Sequence, residues 1–134
     1  MIAIDTSAIV AIAMEEPEGR HFDTLVAKNR TIIETPTLLE ARIVLGALMP
    51  GFAGDFLEVL ILRTTVQPVA FTLPMYRMAS DAFQRFGKGR GHPARLNFGD
   101  CQSYGVSKAL DAPLLFKGDD FVHTDLVPAY VPAP

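Results

Sequence analysis

The sequence predicts a parallel, three-layer α/β domain. Three observations carry this. Short apolar runs of strand length alternate with longer segments at helical spacing, the pattern of strands joined by helical crossovers. The chain has 134 residues, one domain's worth, and 49% of them are hydrophobic. A chain of this size buries roughly two thirds of its unfolded surface, enough for a core without staples. A single domain over residues 1–134 is therefore expected, with no internal repeat and no linker.

Residues 2–4 read as the first strand, ending in Asp5. Thr6 or Ser7 is placed to cap the helix that follows, and residues 8–13 continue it. Glu16-Pro17-Glu18 breaks that helix and starts a second, with Pro17 in its first turn, running to about Lys28. Phe22, Leu25 and Val26 are its inward face. A strand is expected at residues 31–33. Thr35-Pro36-Thr37 then caps a helix that reaches about Leu48. Leu38, Leu39, Ala41, Ile43, Val44, Leu45, Ala47 and Leu48 leave that helix almost no polar face, so it is expected to be buried all round, with another chain covering one side.

Pro50-Gly51 ends it, and residues 52–62 read as the next helix. Thr65, Val66 and Val69 are extended. Residues 73–86 form a helix with Met75, Met78, Ala79, Ala82 and Phe83 at core spacing. Gly87, Gly89, Gly91 and Pro93 then forbid regular structure. Asn97-Phe98-Gly99-Asp100 opens a helix ending near Leu110, residues 113–116 form a buried strand, and a last short strand is expected over residues 126–130.

The totals exclude several function classes. The formal charge of -3 argues against broad coating of nucleic acid, but leaves room for a local basic patch. Cys101 is the only cysteine, so no intrachain disulfide forms and a reducing compartment fits. The N-terminus lacks the basic region of a signal peptide, and no stretch reaches the ~18 apolar residues of a membrane span. A soluble, cytoplasmic protein without membrane contact is expected.

The acids carry the chemistry. Asp5 follows the first strand, Asp100 sits in the first turn of a helix, and Asp119 and Asp120 follow the late strand. Glu40 lies on the apolar helix, with Ile43 and Val44 as its i+3 and i+4 neighbours. In open α/β sheets, sites form outside the carboxyl ends of the strands. Gathered acids repel unless a cation neutralises them, and hard divalent cations with oxygen ligands do so. Each acid alone has an ordinary explanation: a helix cap for Asp5, an N-terminal helix acid for Asp100, a turn for Asp119-Asp120, a core ion pair for Glu40. The joint pattern favours a metal site. Arg85, Lys88, Arg90 and Arg95 lie in a run without any acid that leads into Asp100, the arrangement that holds phosphates of a polyanion. His21, His92 and His123 have no ligand spacing, and Cys101 reads as a small core residue. Ser7, Ser103 and Ser107 either line the site or make local hydrogen bonds.

Four motifs then match a family: Ile2-Ala3-Ile4-Asp5-Thr6-Ser7-Ala8, Thr35-Pro36-Thr37-Leu38-Leu39-Glu40, Leu96-Asn97-Phe98-Gly99-Asp100-Cys101, and Leu114-Leu115-Phe116-Lys117-Gly118-Asp119-Asp120-Phe121. In this order and at these intervals, the chain resembles a PIN-domain ribonuclease of the VapC toxin type, from Met1 to about Val127. The resemblance implies a Rossmann-like three-layer sandwich with a central parallel sheet. It implies Mg²⁺- or Mn²⁺-dependent endonucleolytic cleavage of RNA, of transfer or ribosomal type, leaving a 5′-phosphate and a 3′-hydroxyl, as the toxin of a toxin–antitoxin module. Asp5, Glu40 and Asp100 then correspond to the first three acids, with Glu40 binding metal directly or through water. Asp119 and Asp120 both remain candidates for the fourth. Expected partners are RNA, a VapB-type antitoxin, a second copy of the chain and hetero-oligomers of the two proteins. Phospho-acceptor or phosphatase α/β domains share an acid after the first strand, but Asp55 falls in a predicted helix and Ser7 stands where a dehalogenase-type pattern needs a second Asp. A PIN-fold RNA binder without catalysis is the non-enzymatic alternative.

Overall fold

A computed structural model describes residues 1–133. Its strands are β1 (Ile2–Ile4), β2 (Thr31–Glu34), β3 (Val66–Val69) and β4 (Leu114–Leu115). Its helices are α1 (Thr6–Ala13), α2 (Gly19–Lys28), α3 (Thr35–Leu48), α4 (Ala53–Ile61), α5 (Leu73–Phe86) and α6 (Phe98–Leu110). The sheet runs β3-β2-β1-β4, with every neighbour pair parallel.

The pleat of β1 sets the layers. Ile2 and Ile4 point to one side and pack with Ile9, Phe22, Leu45 and Leu57 from α1 to α4. Ala3 points to the other side with Ile32 and Leu114, and packs with Met75, Ala82 and Tyr104 from α5 and α6. Helices therefore cover both faces, and the three-layer expectation holds. Both faces being buried explains why the strands read as continuous apolar runs.

Several boundaries differ from expectation. Pro17 lies in a turn before α2, because the Gly19 amide closes onto the Glu16 carbonyl and delays the helix to Gly19. The cap of α1 is Asp5 itself, not Thr6 or Ser7. No strand forms over residues 126–130; that segment contributes a single bridge, between Leu114 and Pro128. On α5, Met78 and Phe83 face solvent and Phe86 is buried instead.

The largest difference concerns α3. It turns only Thr37, Ala41 and Leu45 fully inward. Leu39, Ile43, Val44 and Leu48 remain exposed, Ile43 to 66%, so the helix is not buried all round within this chain. Phe52, Val59 and Leu62 on and around α4 are exposed as well. Among the described residues, no helix is long and apolar enough to cross a membrane.

Candidate active site

Strand β1 delivers Asp5 to the carboxyl edge of the sheet, 6% exposed. Its Oδ2 accepts from the Ser7 amide at 3.0 Å and the Ser7 hydroxyl at 2.6 Å. Its Oδ1 accepts from the Ser103 hydroxyl on α6 at 2.5 Å. The Ser7 hydroxyl in turn accepts from the Lys117 amide, just past β4, at 3.0 Å. Asp5 thus caps α1 and is locked by donors from α1 and α6, with the Lys117 amide fixing Ser7 in turn. A carboxylate so held loses little freedom when a ligand arrives.

Asp100 comes from the first turn of α6. Asn97 caps that helix, accepting from the Asp100 amide at 2.9 Å, while Asp100 Oδ2 accepts from the Asn97 amide at 3.0 Å. This reciprocal pair fixes the carboxyl at the helix N-terminus. Burial pushes the Asp100 carboxyl up to about 6, the charges of Asp120, Asp5 and Glu40 add to the shift, and the Asn97 amide opposes it. Asp100 therefore senses three other acids drawn from α1's cap, α3 and the turn after β4.

Glu40 reaches the same space from α3, half-buried, and accepts from the Thr6 hydroxyl. It comes close to α6 at Gly99, where a Cβ would collide with the Glu40 carboxylate. Glycine there leaves the room that the carboxylate uses. The doublet divides. Asp120 acts on Asp100, whereas Asp119 lines a different groove with Phe22, Lys117 and Tyr130.

A fifth acid adjoins the cluster. Strand β2 runs one residue beyond the expected 31–33, and that residue is Glu34, 1% exposed. The β1–β2 register pairs Ala3 with Ile32, and two residues further it sets Asp5 beside Glu34. Glu34 accepts from the Thr37 hydroxyl. Burial pushes its carboxyl up to about 7, Thr37 lowers it, and the neighbouring charge of Asp5 raises it. The sequence signal was its place at a strand's carboxyl end, the same place Asp5 occupies.

Other candidates separate by environment. Ser107 donates to the Ala112 carbonyl at 2.6 Å and closes the end of α6. Burial pushes the Cys101 thiol up to about 11, which makes it unreactive. His21 stacks on Tyr130 and His92 accepts from the Ala94 amide, both away from the acids. Of the basic run, Arg85 is committed to Asp81 at 2.9 Å, the Tyr104 hydroxyl at 2.6 Å and the Phe86 ring. Lys88, Arg90 and Arg95 are exposed. Asp55 lies in the first turn of α4, where a phospho-acceptor reading has no strand-end acid to use.

Asp5, Glu40, Asp100 and Asp120 offer only oxygen donors, the chemistry that hard cations such as Mg²⁺ or Mn²⁺ prefer. Among the described residues, no group of three His, Cys, Asp or Glu side chains is placed to hold a metal ion. Ions such as Mg²⁺ keep several waters and take only one or two carboxylates directly.

The family model of the PIN domain matches residues 2–126. Ribonuclease VapC30 of Mycobacterium tuberculosis is 39% identical over 132 residues, covering 98% of this chain and 100% of that protein. Ribonuclease VapC of Mycolicibacterium smegmatis is 40% identical over 127 residues, covering 93% and 97%. The crystal structure of Mycobacterium tuberculosis VapC20, a sarcin-ricin loop cleaving toxin, superposes with a TM-score of 0.74 at 19% identity, over 95% of this chain and 97% of that one, a likeness of fold. Matched along nearly its whole length by such relatives, the chain belongs to the PIN-domain family, among its VapC-type ribonucleases.

Proposed function

We propose that this ribonuclease is the toxin of a toxin–antitoxin pair and cleaves RNA by divalent-metal-assisted hydrolysis. The observation that supports this best is the buried Asp100 carboxyl, raised by its burial and by the nearby charges of Asp120, Asp5 and Glu40. Four acids held together without a cation cost stability, and a bound Mg²⁺ or Mn²⁺ relieves that cost. When bound, the ion supplies Lewis-acid charge and an activated water.

This chain's own residues do the rest. Asp5 and Asp100 are the principal ligands, with Asp5 pre-set by Ser7 and Ser103. Glu40, oriented by Thr6 and given space by Gly99, binds directly or through water. Asp120 rather than Asp119 completes the set. Lys88, Arg90 and Arg95 hold flanking phosphates, while Arg85 shapes the loop that carries them. Hydrolysis in line leaves a 5′-phosphate and a 3′-hydroxyl, on transfer or ribosomal RNA, in the cytoplasm. The exposed apolar face of α3 and α4 is the surface for a second copy or a VapB-type antitoxin.

The test pairs cleavage with metal binding. Purified wild type should cut RNA with Mn²⁺ and stop in EDTA. Asp5→Asn and Asp100→Asn should be inactive yet folded, and Asp120→Asn should weaken Mn²⁺ binding in calorimetry while Asp119→Asn leaves it near wild type. Full cleavage by Asp5→Asn, or cutting in excess EDTA, overturns the metal reading.

A further inference from the structure

The N-terminus of α6 has two sides. Gly99, Asp100 and Ser103 face the acids. Phe98, Cys101 and Gln102 face the opposite way, into a cavity of about 590 Å³ between α5, α6 and the loop that joins them. Phe71, Tyr76, Phe83 and Leu96 make its wall, and Lys88 stands at its edge. Phe98 is 82% exposed, although it is the most apolar residue of the capping turn. Tyr76 and Phe83 are exposed beside it, and the Arg90 guanidinium lies 6.0 Å from the Phe83 ring.

We propose that this cavity is a base-binding subsite, in which Phe98 stacks an unpaired base of the RNA adjoining the cleaved phosphate. The inference rests on the reading of the chain as a ribonuclease. Three features select this occupant. Exposed aromatic rings interleaved with cations match single-stranded nucleic acid, whose bases offer π-faces and whose backbone offers charge. No acidic residue lines the cavity, although acids crowd the other side of the same helix turn. Phe98 is two residues from Asp100, so a strand crossing the helix end sets a base on one side and a phosphate on the other. The apolar wall of the cavity makes the contact one for bases, whereas the loop cations act on any polyanion.

The protein contains no tryptophan, so Phe98→Trp installs a single fluorophore at the subsite. Because Phe98 projects into solvent, this variant and Phe98→Ala should both melt within a few degrees of wild type. Each is titrated in EDTA with a 12-nucleotide single-stranded RNA of mixed sequence, and with an abasic ribose-phosphate strand of equal length. RNA should quench the Phe98→Trp emission, and the abasic strand should not. Phe98→Ala should bind the RNA about tenfold more weakly, within the range of one lost stacking contact, and the abasic strand as wild type does. RNA binding that leaves the emission unchanged, or equal quenching by the abasic strand, overturns the subsite. So does emission that shifts with protein concentration alone, which would assign the cavity to a second copy. Wild-type cleavage with Mn²⁺ alongside any of these outcomes spares the ribonuclease reading; a wild type that neither binds nor cuts RNA overturns both.

Discussion

Asp100→Asn should make the metal-free protein more stable while destroying its activity. The folded carboxyl titrates near 6 against an ordinary value of 3.8. Each unit is worth about 1.4 kcal/mol, so ionising Asp100 costs the fold about 3 kcal/mol. The sign follows from proton binding. Between pH of about 4 and 6 the folded state holds a proton that the unfolded chain has released, so stability falls as pH rises through that window and stays lower above it. Asparagine keeps the shape and the acceptor for the Asn97 amide but never ionises. Weakening that charge-assisted bond offsets about 1 kcal/mol. A net gain of about 2 kcal/mol remains at pH 7.5, or roughly 6–10 °C in melting temperature for a chain of this length. The assay is calorimetry of EDTA-treated wild type and variant at pH 4 and pH 7.5. The gap should close at pH 4. Adding Mn²⁺ at pH 7.5 should raise the wild type and leave the variant nearly unmoved. A variant less stable than wild type at pH 7.5, or a gap of the same size at both pH values, would refute the reasoning.

Glu34→Gln should behave similarly over a higher window, from about 4.5 to 7, because burial and Asp5 raise that carboxyl further; urea melts at pH 4.5 and 8 should show a gain only at the higher pH, and a pH-independent difference counts against it. Gly99→Ala should displace the Glu40 carboxylate and break its bond with Thr6, costing about 100-fold in cleavage rate with little loss of fold. Wild-type turnover in that variant would show that Glu40's position is unimportant. Ser103→Ala should remove the donor to Asp5 Oδ1 and cost about 1–2 kcal/mol in denaturant unfolding, together with weaker Mn²⁺ binding. Unchanged binding would separate Ser103 from the site.

Much of this was legible in sequence where local chemistry is strong. α3 and α5 fall at their expected limits because Pro36 and Pro74 mark their first turns. Asp5, Glu40 and Asp120 lie near enough to act on Asp100 because each stands at a strand's carboxyl end, in the turn after one, or on a helix face turned to that edge. What periodicity misses is set by neighbours. Met78 and Phe83 have core spacing, yet α5 packs chiefly on α6, which needs a narrow stripe and leaves them exposed. Residues 126–130 look like a strand, but a single bridge is all they form with β4. Glu34 is not legible as a strand residue because the apolar run ends at Ile33, whereas the ladder to β3 continues through it. Asp119 and Asp120 look alike in a turn, and only the fold points them to different places.

Asp5 accepts from the Ser7 amide at 3.0 Å through Oδ2 of the same carboxylate whose charge acts on Asp100. The end of α1 and the occupancy of the pocket are therefore one physical variable. Anything that draws electron density from Oδ2 weakens that bond, and the Ser7 amide proton should register it as a shifted resonance and faster solvent exchange. The backbone thus carries a reporter for the state of Asp5 that needs no label and no substrate. The same coupling makes Asp5→Ala a poor inactive control, since it frays a helix as well as emptying the site, while Asp5→Asn keeps an acceptor for the amide.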